Sequence, residues 1–161
     1  MKHKYSKKVR ILGYVIIAFE LLTAVTWFAA WYGNGMVLMS IQRSAFGGGS
    51  QSFGFVNSTG GKSLTVPVTG GGFFPVTVSA SLLVLNSQNQ TLSQVQSNVT
   101  VSPGETKNLT LTVPNSVISS SSPLSNYYLH ISLEIMSLYN LVSIGAKIEL
   151  NTSVFSGGSK S

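Results

Sequence analysis

The sequence predicts an all-β fold, an antiparallel β-sandwich of about seven strands, preceded by one N-terminal transmembrane helix. Three observations predict it. Residues 11–32, ILGYVIIAFELLTAVTWFAAWY, form one apolar run broken by a single charge. Beyond residue 60 the hydrophobic pattern alternates with period two. The alternating runs are separated by Gly, Pro, Asn and Ser clusters, the chemistry of turns.

The chain begins with a basic block. Lys2, Lys4, Lys7, Lys8 and Arg10 carry most of the formal net charge of +6. Residues 1–10 read as a cytoplasmic tail, because positive residues stay on the inner side of a membrane span. The remaining cations, Arg43, Lys62, Lys107, Lys147 and Lys160, are scattered along the chain. Scattered charge is not the clustered basic face of a nucleic-acid binder. The basic balance is therefore a topology signal, and no nucleic-acid partner is expected.

Residues 11–32 are long enough to cross a bilayer. At 1.5 Å per residue they span about 33 Å, against a hydrocarbon core of about 30 Å. Trp27, Trp31 and Tyr32 cluster at the far end, as an interfacial aromatic belt would. The run exceeds the 7–15 residues of a cleaved signal peptide's core. Gly33 and Gly35 have the small-x-small spacing of a cleavage site, so that alternative stays open. The expected topology is a single-pass cell-membrane protein with its C-terminal part outside.

Glu20 stands near the middle of this run. A mid-membrane carboxyl costs about 2.5–3.5 kcal/mol on insertion scales. On a helix, Ala24 and Trp27 lie on its side and Thr23 flanks it. Small and aromatic residues beside a polar group suit a partner helix. Glu20, Thr23, Ala24 and Trp27 are the candidate contacts with another membrane protein.

Residues 33–54 are rich in Gly and Ser and read as a flexible tether, most clearly in AFGGGSQSFG (45–54). Residues 55–155 read as the sandwich, and 156–161 as a flexible tail. Runs such as Leu64, Val66, Val68 and Leu129, Ile131, Leu133, Ile135 alternate with polar residues. Each gives one apolar and one wet face, as in antiparallel sheets. MSLYNLVSIGA (136–146) is the one segment outside the anchor read as holding a short helical turn.

The stretch from Phe74 to Pro114 resembles the LEA-2-like, or water-stress, β-sandwich domain. Pro75-Val76, Pro103-Gly104 and Val113-Pro114 fall where that family has its strand start, turn and strand end. The resemblance implies the fold, and it brings no catalytic residues. The family's usual Asn-Pro is replaced by Phe74-Pro75.

The chemistry available to the chain is narrow. Charged residues make up 9% of it, with no Asp and no Cys. Two His without Cys or Asp leave few ligands for a metal. His130, Ser132 and Glu134 share one strand face, but His130 and Glu134 are then about 13 Å apart, too far for a catalytic dyad. NSTGGKS (57–63) lacks the first Gly of a phosphate loop, Val56 standing there. A hairpin turn is the alternative. No enzyme and no cofactor are expected. Five N-x-S/T sequons, at Asn57, Asn89, Asn98, Asn108 and Asn151, are candidates for N-linked glycans.

Three functions fit. The first is a structural or accessory subunit of a membrane or cell-envelope complex. Its sequons and scarce charge resemble archaeal-type membrane-anchored surface proteins. The second is a filament subunit: FELL (19–22) is similar to the hydrophobic core of type IV pilins. Cleavage after Gly13 would place Glu20 seventh, a departure from the glutamate at position five. The third is a glycan- or lipid-binding surface module, with Phe53, Phe55, Phe73, Phe74, Tyr127 and Tyr128 lining a groove.

Overall fold

The computed structural model describes residues 7–46, 55–58, 60–117, 127–138 and 140–151. A single helix, α1 (Lys7–Phe46), precedes seven strands. The strands are β1 (Phe55–Ser58), β2 (Gly61–Thr69), β3 (Val76–Leu85), β4 (Thr91–Val101), β5 (Thr106–Pro114), β6 (Tyr128–Ser137) and β7 (Val142–Asn151). They form two antiparallel sheets, ordered β1-β2-β5 and β4-β3-β6-β7. The β-sandwich expected from the period-two pattern is present.

The alternation sets the layers. In β2, Leu64, Val66 and Val68 are buried while Thr65 and Thr69 face solvent. In β3 and β6, the central pair of the larger sheet, every second residue enters the core, including Val78, Leu82, Ile131 and Ile135. One core cluster joins both sheets. The wet faces use paired hydroxyls across strands. Ser63 bonds Thr112 at 2.9 Å, Thr65 bonds Thr110 at 3.2 Å, and Thr69 bonds Thr106 at 3.0 Å. Each pair is directly opposite in the register. Such pairs contribute about 0.2–1 kcal/mol apiece, in a domain with few charges to pair.

Two expectations are corrected. The helix does not end at residue 32. It continues through Phe46, so residues 33–46 of the expected tether are helical, and α1 is about 60 Å long. Residues 47–54 of the tether and the tail 156–161 lie outside the described residues. The physical reason is tertiary. Ala30, Asn34, Val37 and Ile41 recur at helical spacing and are all buried. Val37 and Ile41 belong to the same core cluster as the strands. Burial of this stripe offsets the helix cost of Gly33 and Gly35, about 1 kcal/mol each.

The second correction concerns 136–146. It is a hairpin between β6 and β7, not a helical turn. Leu138 (φ 49°) and Asn140 (φ 69°) hold the left-handed conformations that reverse the chain. The Leu141 amide donates to the Leu138 carbonyl at 3.1 Å. NSTGGK proves to be the β1–β2 hairpin, with Ser58 opposite Gly61.

Short β1 pairs only with Gly61–Leu64 of β2. Helix α1 lies along the rest of that edge. Ser40 Oγ accepts from the Thr69 amide at 3.4 Å while its own hydrogen goes to the Val37 carbonyl at 2.8 Å. The helix thus stands where a longer first strand would. Ile41→Ala is expected to cost about 2–5 kcal/mol, because it opens a cavity in the shared core. Met39→Ala, on the exposed side of the same turn, should cost little. Urea unfolding of the detergent-solubilised chain compares them, and equal midpoints would contradict an embedded helix.

Candidate functional site

The apolar half of α1 is the part of the chain with most left to bind. The residues from Val9 to Phe28 expose their side chains around nearly the whole helix circumference. This N-terminal helix is long and apolar enough to cross a membrane. Trp27, Trp31 and Tyr32 are each about half exposed at the C-terminal end of this apolar run. The hydroxyls inside the run are satisfied by their own helix. Thr23 Oγ1 donates to the Phe19 carbonyl at 2.9 Å, and Thr26 Oγ1 to the Leu22 carbonyl at 2.8 Å.

Glu20 has no such internal partner among the described residues, and it is exposed. It stands about 13 Å along the axis from Ile11 and about 18 Å from Tyr32. Thr23, Ala24 and Trp27 are exposed as well. The candidate partner stripe is therefore continuous, and no residue of it is occupied by the sandwich.

Where the helix enters the domain, backbone meets backbone. A Cβ added to Gly72 (φ 79°) would sit 2.6 Å from the Gly33 Cα. One added to Gly71 would sit 2.4 Å from the Met36 Cβ. Side chains at these points would push the helix off the sheet. The TGGGFFP segment read as a turn is thus also the seat of the helix. On the other side, Asn34 is fully buried and its Nδ2 donates to the Val142 carbonyl at 3.3 Å. Its Oδ1 and the Oγ of Ser137, the residue opposite Val142, lack partners. Each unmade bond costs about 1–3 kcal/mol, so burial elsewhere must hold this corner together.

Three connections share this end of the sandwich: 70–75, 102–105 and 138–141. Gly70 N donates to the Glu105 carbonyl at 2.8 Å, and Gly104 N to the Gly70 carbonyl at 3.0 Å. Glu105 closes its own turn, accepting from the Ser102 amide at 2.9 Å and pairing with Lys107 at 2.9 Å. The Ser102 amide, and then Lys107, hold the Glu105 carboxyl below the usual carboxylate range.

The other candidates are dispersed. Asn57, Asn89, Asn98 and Asn108 are all exposed, the condition a glycan requires, while the side chain of Asn151 lies outside the described ones. His130, Ser132 and Glu134 lie along one face of β6, in line and not converging. Beside them a shallow groove of about 910 Å³ runs over the larger sheet. Ser79, Ser81, Gln96, Asn98, Ser132 and Glu134 line it, with no aromatic ring. The six aromatics proposed for one groove are split. Phe55 and Tyr127 pack on the core, and Tyr128 pairs with Leu85 at the end of β3 remote from Phe73 and Phe74. Phe53 lies outside the described residues. Sequence reasoning missed the stripe of Asn34, Val37 and Ile41, although its spacing was visible between the glycines.

No protein-family model matches the chain, and no curated protein matches it. Solved structures do. A calcium-binding mutant of beta-glucuronidase 2 from Bacteroides uniformis matches with a TM-score of 0.38 and 11% identity, over 60% of this chain and 12% of that one. Another beta-glucuronidase from Bacteroides uniformis matches with a TM-score of 0.36 and 12% identity, over 58% and 12%. The chain spans about an eighth of those enzymes' length, and a likeness this distant carries no argument about activity.

The Glu105 contacts predict a pH dependence of definite sign. A carboxyl with a lowered folded value stabilises fully above the ordinary range, about 4.3, and loses that contribution as pH falls through the folded value. The Glu105 side-chain carbon resonance should titrate with a midpoint below that of an ordinary glutamate. A midpoint at or above it would contradict the Ser102 bond.

Proposed function

We propose that this chain is a single-pass, membrane-anchored structural or accessory subunit of a membrane or cell-envelope complex. It would hold its β-sandwich rigidly outside the bilayer. One observation carries the reading: the exposed apolar half of α1 runs without a break into a half embedded in the sandwich core. A flexible tether lets a domain search. A continuous helix fixes its height and orientation, as a post or spacer needs. The inner end is set by the basic residues before Ile11, which favour a cytoplasmic N-terminus.

The helix is proposed to dock on another membrane protein through Glu20, Thr23, Ala24 and Trp27. The exposed sequons suit N-linked glycans on an outward surface that is poor in charge. The LEA-2-like resemblance of 74–114 is part of this proposal. It covers the β3–β4 hairpin and β5, which joins the other sheet.

A second reading, a pilin-like filament subunit, is favoured by the same unbroken helix, since a filament also needs an apolar rod joined stiffly to a globular head. The mature N-terminus separates the two: an intact basic tail excludes pilin processing.

Topology is tested with single cysteines in this Cys-free chain. A cysteine at Gln88, in the β3–β4 turn, should react with a membrane-impermeant maleimide on intact cells, and one at Lys4 only after lysis. The reverse pattern would overturn the orientation. For the helix contact, mild-detergent co-purification should survive Glu20→Gln. Glu20→Leu should weaken it by about fivefold, the scale of an interhelical hydrogen bond of about 1 kcal/mol. Full retention with Leu would sink the Glu20 contact.

A further inference from the structure

The end of the sandwich nearest the anchor exposes two large apolar side chains on separate loops. Phe73, between β2 and β3, is 74% exposed, and Leu141, in the β6–β7 hairpin, is 72% exposed. Neither position is explained by packing within the chain. Both are placed by the helix junction. Phe73 follows Gly72, whose added Cβ would lie 3.7 Å from the Ala29 carbonyl and closer still to Gly33. Leu141 precedes Val142, whose carbonyl accepts from Asn34. The two loops therefore flank α1 at the level of Ala29–Asn34.

That level is where the bilayer ends. Counting from Ile11, about 20 helical residues cross the 30 Å core, which brings the boundary to Ala30. Trp27, Trp31 and Tyr32 bracket the same height. The loops cannot stand clear of the membrane surface, because the glycine contacts leave no spacer between helix and sandwich. Between them opens a cleft of about 470 Å³, walled by Phe74, Pro75, Met136 and Leu138 among others. Exposed rings and aliphatic side chains at this depth gain by leaving water, as interfacial anchors do.

We infer that this end of the sandwich is a lipid-contacting surface, with Phe73 and Leu141 inserted into the outer-leaflet interface around the protein's own anchor. The inference rests on the membrane-anchor reading. Its occupant is the bilayer, since the surface is continuous with the apolar helix. The contact would fix the tilt of the domain as well as its height.

The test uses the full chain, which has no cysteine of its own. Single variants Phe73→Cys, Leu141→Cys, Gln88→Cys and Leu22→Cys carry an environment-sensitive fluorophore. Each is reconstituted in phosphatidylcholine vesicles containing lipid with a nitroxide near its headgroup. Labels at 73 and 141 should be quenched several-fold more than the label at 88, at the opposite end. The two loops are independent sites, so each covers a folding failure of the other. If 73 and 141 behave like 88 while 22 responds as bilayer-buried, the anchor stands and this inference falls. If the label at 22 is water-exposed, the anchor reading falls first. Labels at 73 and 141 shielded from aqueous iodide but insensitive to the nitroxide lipid would mean a protein or a second copy covers the surface, and would overturn the lipid assignment.

Discussion

Everything in this molecule hangs on the backbone contact of Gly33 with Gly71 and Gly72. With no side chains between them, helix and loop approach closely enough for Val37 and Ile41 to reach the core between the two sheets. The helix then takes over an edge of β2 that short β1 leaves open. The sandwich is complete only with the helix in place. The helix and the domain are one continuous element in consequence, and under the proposed anchoring the height of every loop above a bilayer would follow from the residue at which the helix emerges.

The rest of the domain is stabilised without much electrostatics. Glu105 pairs with Lys107, both partly exposed. Such a pair is worth little by itself. Hydroxyl pairs across β2–β5 and β3–β4 occupy the wet faces where other proteins place charges. These groups do not titrate between acid and neutral pH, so the surface keeps its character when the pH of the medium changes. A surface this poor in charge gains solubility from exposed polar amides, and the exposed sequon asparagines lie on it.

The sheets were legible because alternation is a direct record of which side chains face the core. The alternating runs at 64–68 and 129–135 lie within β2 and β6. Strand β1 was not read, because only Phe55 of its four residues turns inward, leaving no pattern to see. The helix end was misread for a different reason. Gly33, Asn34 and Gly35 look like a break, and locally they are poor helix formers. What overrides propensity is the partner glycines nearly forty residues further on, which no local window contains. The hairpin at 138–141 was hidden likewise: its left-handed residues are Leu138 and Asn140, where Gly would have been the signal. Within the site, the apolar run and the aromatic cluster at its end were readable from composition, while the placement of Phe73 and Leu141 beside that cluster required the junction.

The rigid junction also restricts where a partner helix can stand. On a regular helix each residue turns 100°. The face docked on the sandwich, marked by Ala30, Asn34, Val37 and Ile41, then lies about a quarter turn from the stripe of Glu20, Ala24 and Trp27. A helix bound at Glu20 would therefore rise beside the sandwich and not beneath it. A flexible tether would leave this angle undefined, and any arrangement of partners would then serve. With the helix embedded, a neighbour docked at Glu20, as proposed, would face one defined flank of the sandwich.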